Sequence, residues 1–215
     1  MSVTTKYNHF IENKLYSNIQ YTSHRGYSTI NIYSLNKLCR YEKRIKINEN
    51  NKNNILILMQ NPSNDMSKYC IINNIIYNIT SDINHNIKTI TIINLYSFII
   101  VNITRQTNKK YFYTNNEKYN EKYIKKLLIS NKFHEIYIGT GQHLLSCGFS
   151  KEFKQKYLRI LKYIDKFKIR KYKCFGQFVY KNKIPRYPKF LYKNKIRKIK
   201  KKELYHSIKN LNNNF

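Results

Sequence analysis

Amide-rich polar loops follow three apolar runs in this sequence. The loops are "QNPSND" (60–65), "NLYSF" (94–98) and "GTGQH" (139–143), and each ends a run with strand character. In an open parallel sheet, binding sites form outside the carboxyl ends of the strands. A side-chain amide can both donate and accept hydrogen bonds, so these loops can bind a polar ligand. We therefore expect these loops to form one site.

A fourth segment with binding chemistry is the pair Arg186 and Tyr187, which lies between Pro185 and Pro188. Proline fixes its own φ and stiffens the chain around it. A rigid Arg-Tyr pair presents one stacking ring and one guanidinium fork that fits a phosphate. This pair is predicted to contact a nucleic acid.

The spacing of apolar residues predicts the elements that position these segments. Alternating or continuous apolar runs predict strands, and apolar residues at helical spacing predict helices. The predicted strands are 28–35, 42–47, 55–60, 87–96, one within 133–141 and 171–179, and the predicted helices are 67–78, 116–130 and 150–167.

The order of these elements predicts an α/β fold. Strands covered on both faces that alternate with helices are typical of a three-layer sandwich with a mainly parallel central sheet flanked by helices. We expect a single α/β domain over residues 28–192, an N-terminal extension over 1–27 and a basic C-terminal tail over 193–215, either helical or disordered.

The charge of the chain is high and uneven. The formal net charge is +30, and residues 151–215 carry 22 basic and three acidic side chains, against three and two in residues 51–100. This asymmetry predicts a polyanionic partner, a nucleic acid. The competing interpretation is codon bias, because A/T-rich codons favour Lys, Asn, Ile and Tyr together. The near-neutral centre favours function, since bias would act everywhere.

Cysteine usage and hydropathy bear on compartment and cofactors. The four cysteines Cys39, Cys70, Cys147 and Cys174 form no C-x-x-C pair, which predicts a reduced cytoplasmic protein without a zinc site. The longest apolar segment, 92–103, is too short for a bilayer, so no membrane association is expected. No cofactor is expected, and the sequence indicates no protein partner.

Five motifs, in order, resemble a known family. They are "CRYEKRIKI", "LILMQNPSND", "ITIINLYSF", "YIGTGQH" and "GQFVYKNKIPRYPKFL", which together cover about residues 39–191. They resemble the bacterial and phage family called domain of unknown function 1643. Its pattern has an arginine-tyrosine strand, a "MLNPS-x-A-D" loop, a "VNLFAF" strand, a Trp-Gly loop and a terminal "G-x-P-R-H-P-L-Y-L".

That family is in turn similar, more distantly, to the uracil-DNA glycosylase superfamily. The similarity implies that Asn61 positions an attacking water and Asn94 hydrogen-bonds a flipped base, with Asp65 as a third candidate catalytic residue. It also implies that the late loop contacts DNA and the leaving base. Residues implied in substrate binding are Gln60, Pro62, Ser63, Gly139, Gly141, Arg186 and Tyr187.

The sequence departs from the family pattern at four places. Gln60 replaces a leucine, Asn64 and Met66 interrupt the Thr-Ala-Asp run, and Ile138 stands where the family has tryptophan. The histidine of the late loop is Tyr187 here. If that histidine supplies a proton or a positive charge, a neutral tyrosine hydroxyl replaces it with a weaker donor.

Each candidate residue also has a structural interpretation. Asn61 before Pro62 is commonly a turn residue, and Asn94 fits an ordinary strand end. Asp65 can serve as a helix N-cap, and a lone His143 is more often a surface residue.

Three functions therefore remain open. The first is a base-excision-like hydrolase or a degenerate relative that acts on or binds nucleic acid, with DNA favoured over RNA. The second is a non-catalytic RNA-binding or ribosome-associated protein of an A/T-rich genome. The third is an enzyme for a phosphate-bearing small molecule, which no Gly-rich phosphate loop supports.

Overall fold

The computed structural model describes residues 18–24, 27–62, 69–82, 86–99, 114–141, 150–167, 169, 171–176, 178–179, 184–185 and 196–211. The strands in these ranges are β1 (Asn18–His24), β2 (Tyr27–Tyr33), β3 (Arg40–Lys46), β4 (Asn53–Met59), β5 (Ile87–Asn94), β6 (Glu135–Gly139), β7 (Lys171–Phe175), β8 (Phe178–Val179), β9 (Ile184–Pro185) and β10 (Ile196–Lys198). The helices are α1 (Tyr69–Asp82), α2 (Asn115–Ser130), α3 (Ser150–Lys166) and α4 (Lys201–Lys209).

Eight strands form one mixed sheet in the order β1-β2-β3-β5-β4-β6-β7-β10, and β8 pairs separately with β9. The four central strands, β5, β4, β6 and β7, are parallel to one another. The flanking pairs β1–β2, β2–β3, β3–β5 and β7–β10 are antiparallel. The α/β prediction is confirmed, and parallel pairing is confined to the centre of the sheet.

Helices cover both faces of the sheet, as the three-layer prediction required. On one face, α1 packs Ile75, Ile76 and Ile79 against side chains of the central strands. On the other face, α2, α3 and α4 pack against a larger cluster that includes Leu56 and Leu58. Strand β4 contributes alternate side chains to both clusters, so it is buried on both sides, as its continuous apolar run predicted.

Both ends of the sheet extend beyond the predicted domain boundaries. β1 lies within the segment predicted as an extension, yet it pairs with β2 over its whole length. At the other end, residues 196–211 form β10 and α4, and Leu204 and Ile208 of α4 are fully buried. A separate basic tail is therefore not seen, because this segment completes the sheet and its larger core.

A half-buried carboxylate anchors α4. Asp165, in the last turn of α3, accepts a hydrogen bond from the Tyr172 hydroxyl at 2.8 Å and another from the Tyr205 hydroxyl. Lys201 adds an ion pair at 2.8 Å. These contacts join α3, β7 and α4, so the C-terminal segment is held by polar bonds as well as by apolar burial.

A β-bulge positions α2 against β3. The register between β2 and β3 shifts so that Ile32 pairs with Glu42 while Tyr33 pairs with Arg40, and Tyr41 is the extra residue. The Tyr41 hydroxyl donates to Asn116 at 3.2 Å, and the Tyr123 hydroxyl donates to Glu42. The bulge thus directs both β3 side chains towards α2.

Replacing Leu204 with alanine tests whether the C-terminal segment belongs to the core. We expect Leu204→Ala to lower the free energy of unfolding by about 2–5 kcal/mol, because a buried leucine leaves a cavity. The exposed neighbour Lys202→Ala is the control and should change it by less than about 0.5 kcal/mol. Equal urea midpoints for the two variants would show that α4 is a dispensable appendage.

Candidate functional site

The ends of three adjacent parallel strands lie side by side. Met59, the last residue of β4, pairs with Asn94 of β5 on one side and with Gly139 of β6 on the other. The ladder continues beyond β4, because Leu95 N–H donates to Met59 O at 2.8 Å and Tyr96 N–H to Gln60 O at 2.9 Å. We call residues 59–62, 94–97 and 139–141 the carboxyl edge.

This edge is the point at which the chain changes direction across the sheet. The chain leaves β4 through α1 on one face to reach β5, and it then crosses to β6 through α2 on the other face. Connections that diverge in this way open a crevice outside the strand ends. The structure thus brings Asn61, Asn94 and Gly139 to one edge, as the sequence predicted, whereas their functional roles remain predictions.

The side-chain amide nitrogen of Asn94 lacks a partner among the described residues. Its side chain is 2% exposed, and its Nδ2 has no hydrogen-bond acceptor within the described part of the chain. Its backbone oxygen accepts from Asn120 Nδ2 at 3.1 Å. A buried donor without a partner costs about 1–3 kcal/mol, so a ligand acceptor at this position would gain that energy.

Gln60 and Asn61 form a short local chain of bonds. Gln60 Nε2 donates to Asn61 Oδ1 at 3.4 Å, and Asn61 Nδ2 donates to Pro62 O at 3.3 Å. Both distances exceed the usual N–H···O range, so these bonds are weak. Asn61 is half-buried and Gln60 is buried, and the Oε1 of Gln60 has no donor within the described ranges. The local bonds of Asn61 fit its interpretation as a turn residue.

The third loop connects the edge to the late proline segment. Gly141 has φ 67°, in the left-handed region where glycine carries no steric penalty. Its N–H donates to Pro185 O at 2.9 Å. Because Pro185 directly precedes Arg186, this bond places the start of the predicted late loop at the carboxyl edge.

Several predicted site residues lie outside the described ranges. They are Ser63, Asp65, Arg186 and Tyr187, together with His143. Their roles therefore rest on the sequence alone.

A buried ion pair behind the edge was not predicted. Glu117, in the first turn of α2, accepts from both the N–H and the hydroxyl of Ser97 at 2.7 Å each. Its other oxygen lies 3.1 Å from Lys156 Nζ of α3, and both side chains are 3% exposed. Burial raises the pKa of Glu117, although Lys156 and Ser97 act to lower it.

The same lysine extends the network to the surface. Lys156 Nζ also lies 2.9 Å from Glu121 Oε1 and 5.5 Å from the centre of the Tyr96 ring. Arg159 contacts Glu121 at 3.2 Å. Burial raises the pKa of Glu121, but Lys156 and Arg159 outweigh it, so the net shift is downward. The network fixes the segment that follows Asn94, and thereby the shape of the carboxyl edge.

A signal for this pair was present in the sequence. Lys156 lies three residues after Phe153 and four before Ile160, so it falls on the apolar stripe of α3 rather than on its polar face. A charged residue on an apolar stripe requires a buried partner. Glu117 lies on the corresponding inner stripe of α2, together with Asn120 and Ile124.

Other features of the described residues do not coincide with the edge. A cavity of about 380 Å³ lies at the opposite end of β6 and is lined by Leu128, Ile129, Asn131, Lys132, Phe133, Phe167 and Ile169. Within the described ranges, no group of three or more His, Cys, Asp or Glu side chains is placed to hold a metal ion. None of the helices there is long and apolar enough to cross a membrane.

Comparisons with protein-family models, with curated proteins and with solved structures gave no match. The motif resemblance described above therefore remains a prediction about family membership.

Substituting Gly141 tests the connection between the edge and the late segment. We expect Gly141→Ala to lower the free energy of unfolding by about 1–2 kcal/mol, because a Cβ is disfavoured at positive φ. Gly141→Asn should lower the free energy of unfolding by less, since asparagine tolerates the left-handed region. Urea unfolding of both variants and the parent checks the predicted order of stability. A Gly141→Ala protein as stable as the parent would contradict the positive φ of Gly141.

Breaking the buried ion pair tests its role in holding the edge. Lys156→Met leaves Glu117 charged and buried, so we expect a loss of about 3–5 kcal/mol in the free energy of unfolding. Adding Glu117→Gln to that variant should recover part of the loss. The exposed Lys162→Met, on the same helix, serves as the control and should be near neutral. A loss below about 1 kcal/mol for Lys156→Met would contradict the pairing.

Proposed function

We propose that this chain binds nucleic acid and holds one unpaired base at the carboxyl edge. The observation that carries the proposal is the pairing of Met59 with both Asn94 and Gly139, which sets three polar strand ends side by side. The hydrogen bond from Gly141 to Pro185 adds the start of the fourth segment. Such a crevice at diverging strand connections is where α/β proteins bind ligands.

The chemistry of the edge suits a nucleobase. Among the described residues, a donor of Asn94 and an acceptor of Gln60 have no hydrogen-bond partner, and the edge of an extruded base offers acceptors and donors in return. The formal net charge of +30 would draw the phosphate backbone of either DNA or RNA.

Base release is the reaction that the motif resemblance implies for this edge. In that mechanism Asn61 holds the attacking water, Asn94 binds the base, and a donor from the late loop stabilises negative charge on the departing base. Tyr187 can donate a hydrogen bond but stays neutral, because the ordinary pKa of tyrosine is about 10. A histidine at this position can carry a proton near neutral pH, because the ordinary pKa of histidine is about 6.5.

A specific observation favours the non-catalytic alternative. Asn94 and Gln60 are each only 2% exposed, so a base reaches their amides only when the covering segments move. Asn61 is already engaged in local bonds that are typical of a turn. A protein that binds nucleic acid without cleaving it would need no access to these buried amides.

Variants of the edge and the late loop separate the two functions. If the protein is a base-releasing enzyme, Asn61→Ala should abolish release while affinity stays nearly unchanged. Tyr187→His should preserve or raise the rate, since losing a preorganised donor typically costs about a hundredfold or more and histidine would restore a charged one. The control is Asn50→Ala, an exposed asparagine in the turn before β4.

The assay measures base release from single-stranded and double-stranded DNA that carries uracil, hypoxanthine or modified bases, and affinity from fluorescence anisotropy on DNA and RNA oligonucleotides. If the parent and Tyr187→His both bind the oligonucleotides tightly and release no base, the enzymatic function is refuted and the non-catalytic binding function is supported. If the parent binds neither DNA nor RNA at low salt, the proposal as a whole is wrong.

A further inference from the structure

The helices on one face of the sheet carry many more lysine and arginine residues than the helix on the other face. We call α2, α3 and α4 together the basic helical layer. These helices hold thirteen lysine and arginine residues against five aspartate and glutamate residues. Helix α1, which lies on the opposite face, has no lysine or arginine and one acid, Asp82. Codon bias would act on both faces, so the asymmetry between them requires another cause.

Most acids of the layer are paired within it. Glu117 and Glu121 contact Lys156 at 3.1 and 2.9 Å, and Asp165 contacts Lys201 at 2.8 Å. All three carboxylates are buried or partly buried, with 3%, 20% and 18% of the side chain exposed. Three of the five acids are thus held inside the layer, and Glu203, which is exposed, pairs with Arg197. Most of the lysine and arginine side chains of the layer are exposed.

The outward cations lie in stripes along the helices. Exposed lysines of α2 are spaced at i, i+4, i+7 and i+8, which places them on one face over about 12 Å of helix. The exposed cations of α3 follow at i, i+8, i+11 and i+15, over about 22 Å. The residues of the two stripes are Lys118, Lys122, Lys125, Lys126, Lys151, Arg159, Lys162 and Lys166.

The layer is continuous with the carboxyl edge. The first turn of α2 is bonded to the edge through Glu117 and Ser97. The side chain of Lys154, in the first turns of α3, donates to Leu211 O after α4 at 3.2 Å, so α4 runs antiparallel to α3 and returns towards the edge. A nucleic-acid strand that leaves the edge would therefore pass directly onto the stripes.

Apolar exposure argues against a membrane as the partner of this surface. The large apolar side chains exposed in the described parts of the chain are Tyr21, Leu35, Leu38, Tyr77 and Ile129, of which only Ile129 belongs to the layer. A helix that lies on a membrane presents a band of apolar side chains to the lipid. Phosphate groups, by contrast, are bound by lysine and arginine without any apolar contact.

We propose that the outer surface of the basic helical layer holds the phosphate backbone of the nucleic acid whose base lies at the carboxyl edge. This inference rests on the proposed function for the identity of the ligand. It adds a second contact surface, distinct from the edge, that supplies sequence-independent affinity.

Two matched sets of four substitutions test the surface. The layer set changes Lys118, Lys126, Lys162 and Lys166 to glutamine, all exposed on the outer stripes. The control set changes four exposed lysines outside the layer to glutamine, namely Lys37, Lys52, Lys88 and Lys132. Both proteins lose the same net charge, so a difference between them reports position. Circular dichroism and urea unfolding verify that both fold as the parent does.

Affinity for a duplex and for a single-stranded oligonucleotide is measured across a salt series. Each phosphate contact contributes about 0.9 to the slope of log affinity against log salt on duplex DNA, so the layer set should reduce that slope by about two to four. At about 0.1 M salt its affinity should fall by more than about tenfold. The control set should change the slope by less than about one.

If affinity and salt slope fall equally in the two sets, the proposal is overturned, because net charge alone would then explain binding. A parent that binds phosphatidylserine and phosphatidylcholine vesicles more tightly than nucleic acid, through the same lysines, would also overturn it. A reduced slope in the layer set, combined with no effect of Asn94→Ala on oligonucleotide affinity, would leave this surface standing and refute base binding at the edge.

Discussion

The position of β4 between β5 and β6 is the constraint on which the rest of the molecule depends. Ile55, Leu56, Ile57 and Leu58 are each 0% exposed, so both faces of this strand must be covered. Covering both faces demands helices in two layers, so the connection that leaves β4 and the one that leaves β5 pass over opposite faces of the sheet. The divergence of the connections at the carboxyl edge is a geometric result of that demand. The position of the candidate site therefore follows from burying one strand completely.

The buried pair of Glu117 and Lys156 shows how the fold holds the edge in shape. Taking two charges out of water is expensive, and a hydrophobic pair of similar volume is often as stable. What the ionic pair adds is direction, because Glu117 also binds two donors of Ser97, just beyond the end of β5. Apolar side chains could fill the same space, but they could not fix the backbone that follows Asn94.

The sequence predicts this fold best where apolar periodicity is strong. The strands β4 and β5 and the helices α2 and α3 were predicted close to their observed bounds, because each buries a continuous run or stripe. The C-terminal segment was interpreted as a tail because its lysines hid the spacing of Leu204, Ile208 and Leu211, at i, i+4 and i+7. The antiparallel pairing of β3 with β5 could not be read from local pattern, since sequence-distant strands pair through tertiary context. For the site, the shared edge of Asn61 and Asn94 was predicted because both residues follow buried strands of a parallel sheet, whereas finding the Glu117–Lys156 pair required attention to a charge on an apolar stripe.

The basic helical layer has a consequence for folding as well as for binding. The thirteen cations of the three packed helices outnumber their five acids, so the excess positive charge repels itself in the compact state, and this repulsion is weaker when the chain is extended. Dissolved salt screens that repulsion and so favours the folded chain, while the same salt weakens attraction to a polyanion. A bound polyanion neutralises the layer directly and stabilises the fold by mass action. For this protein, a bound polyanion and dissolved salt are thus alternative sources of the same counter-charge. The folded state is least stable at low salt without a bound polyanion.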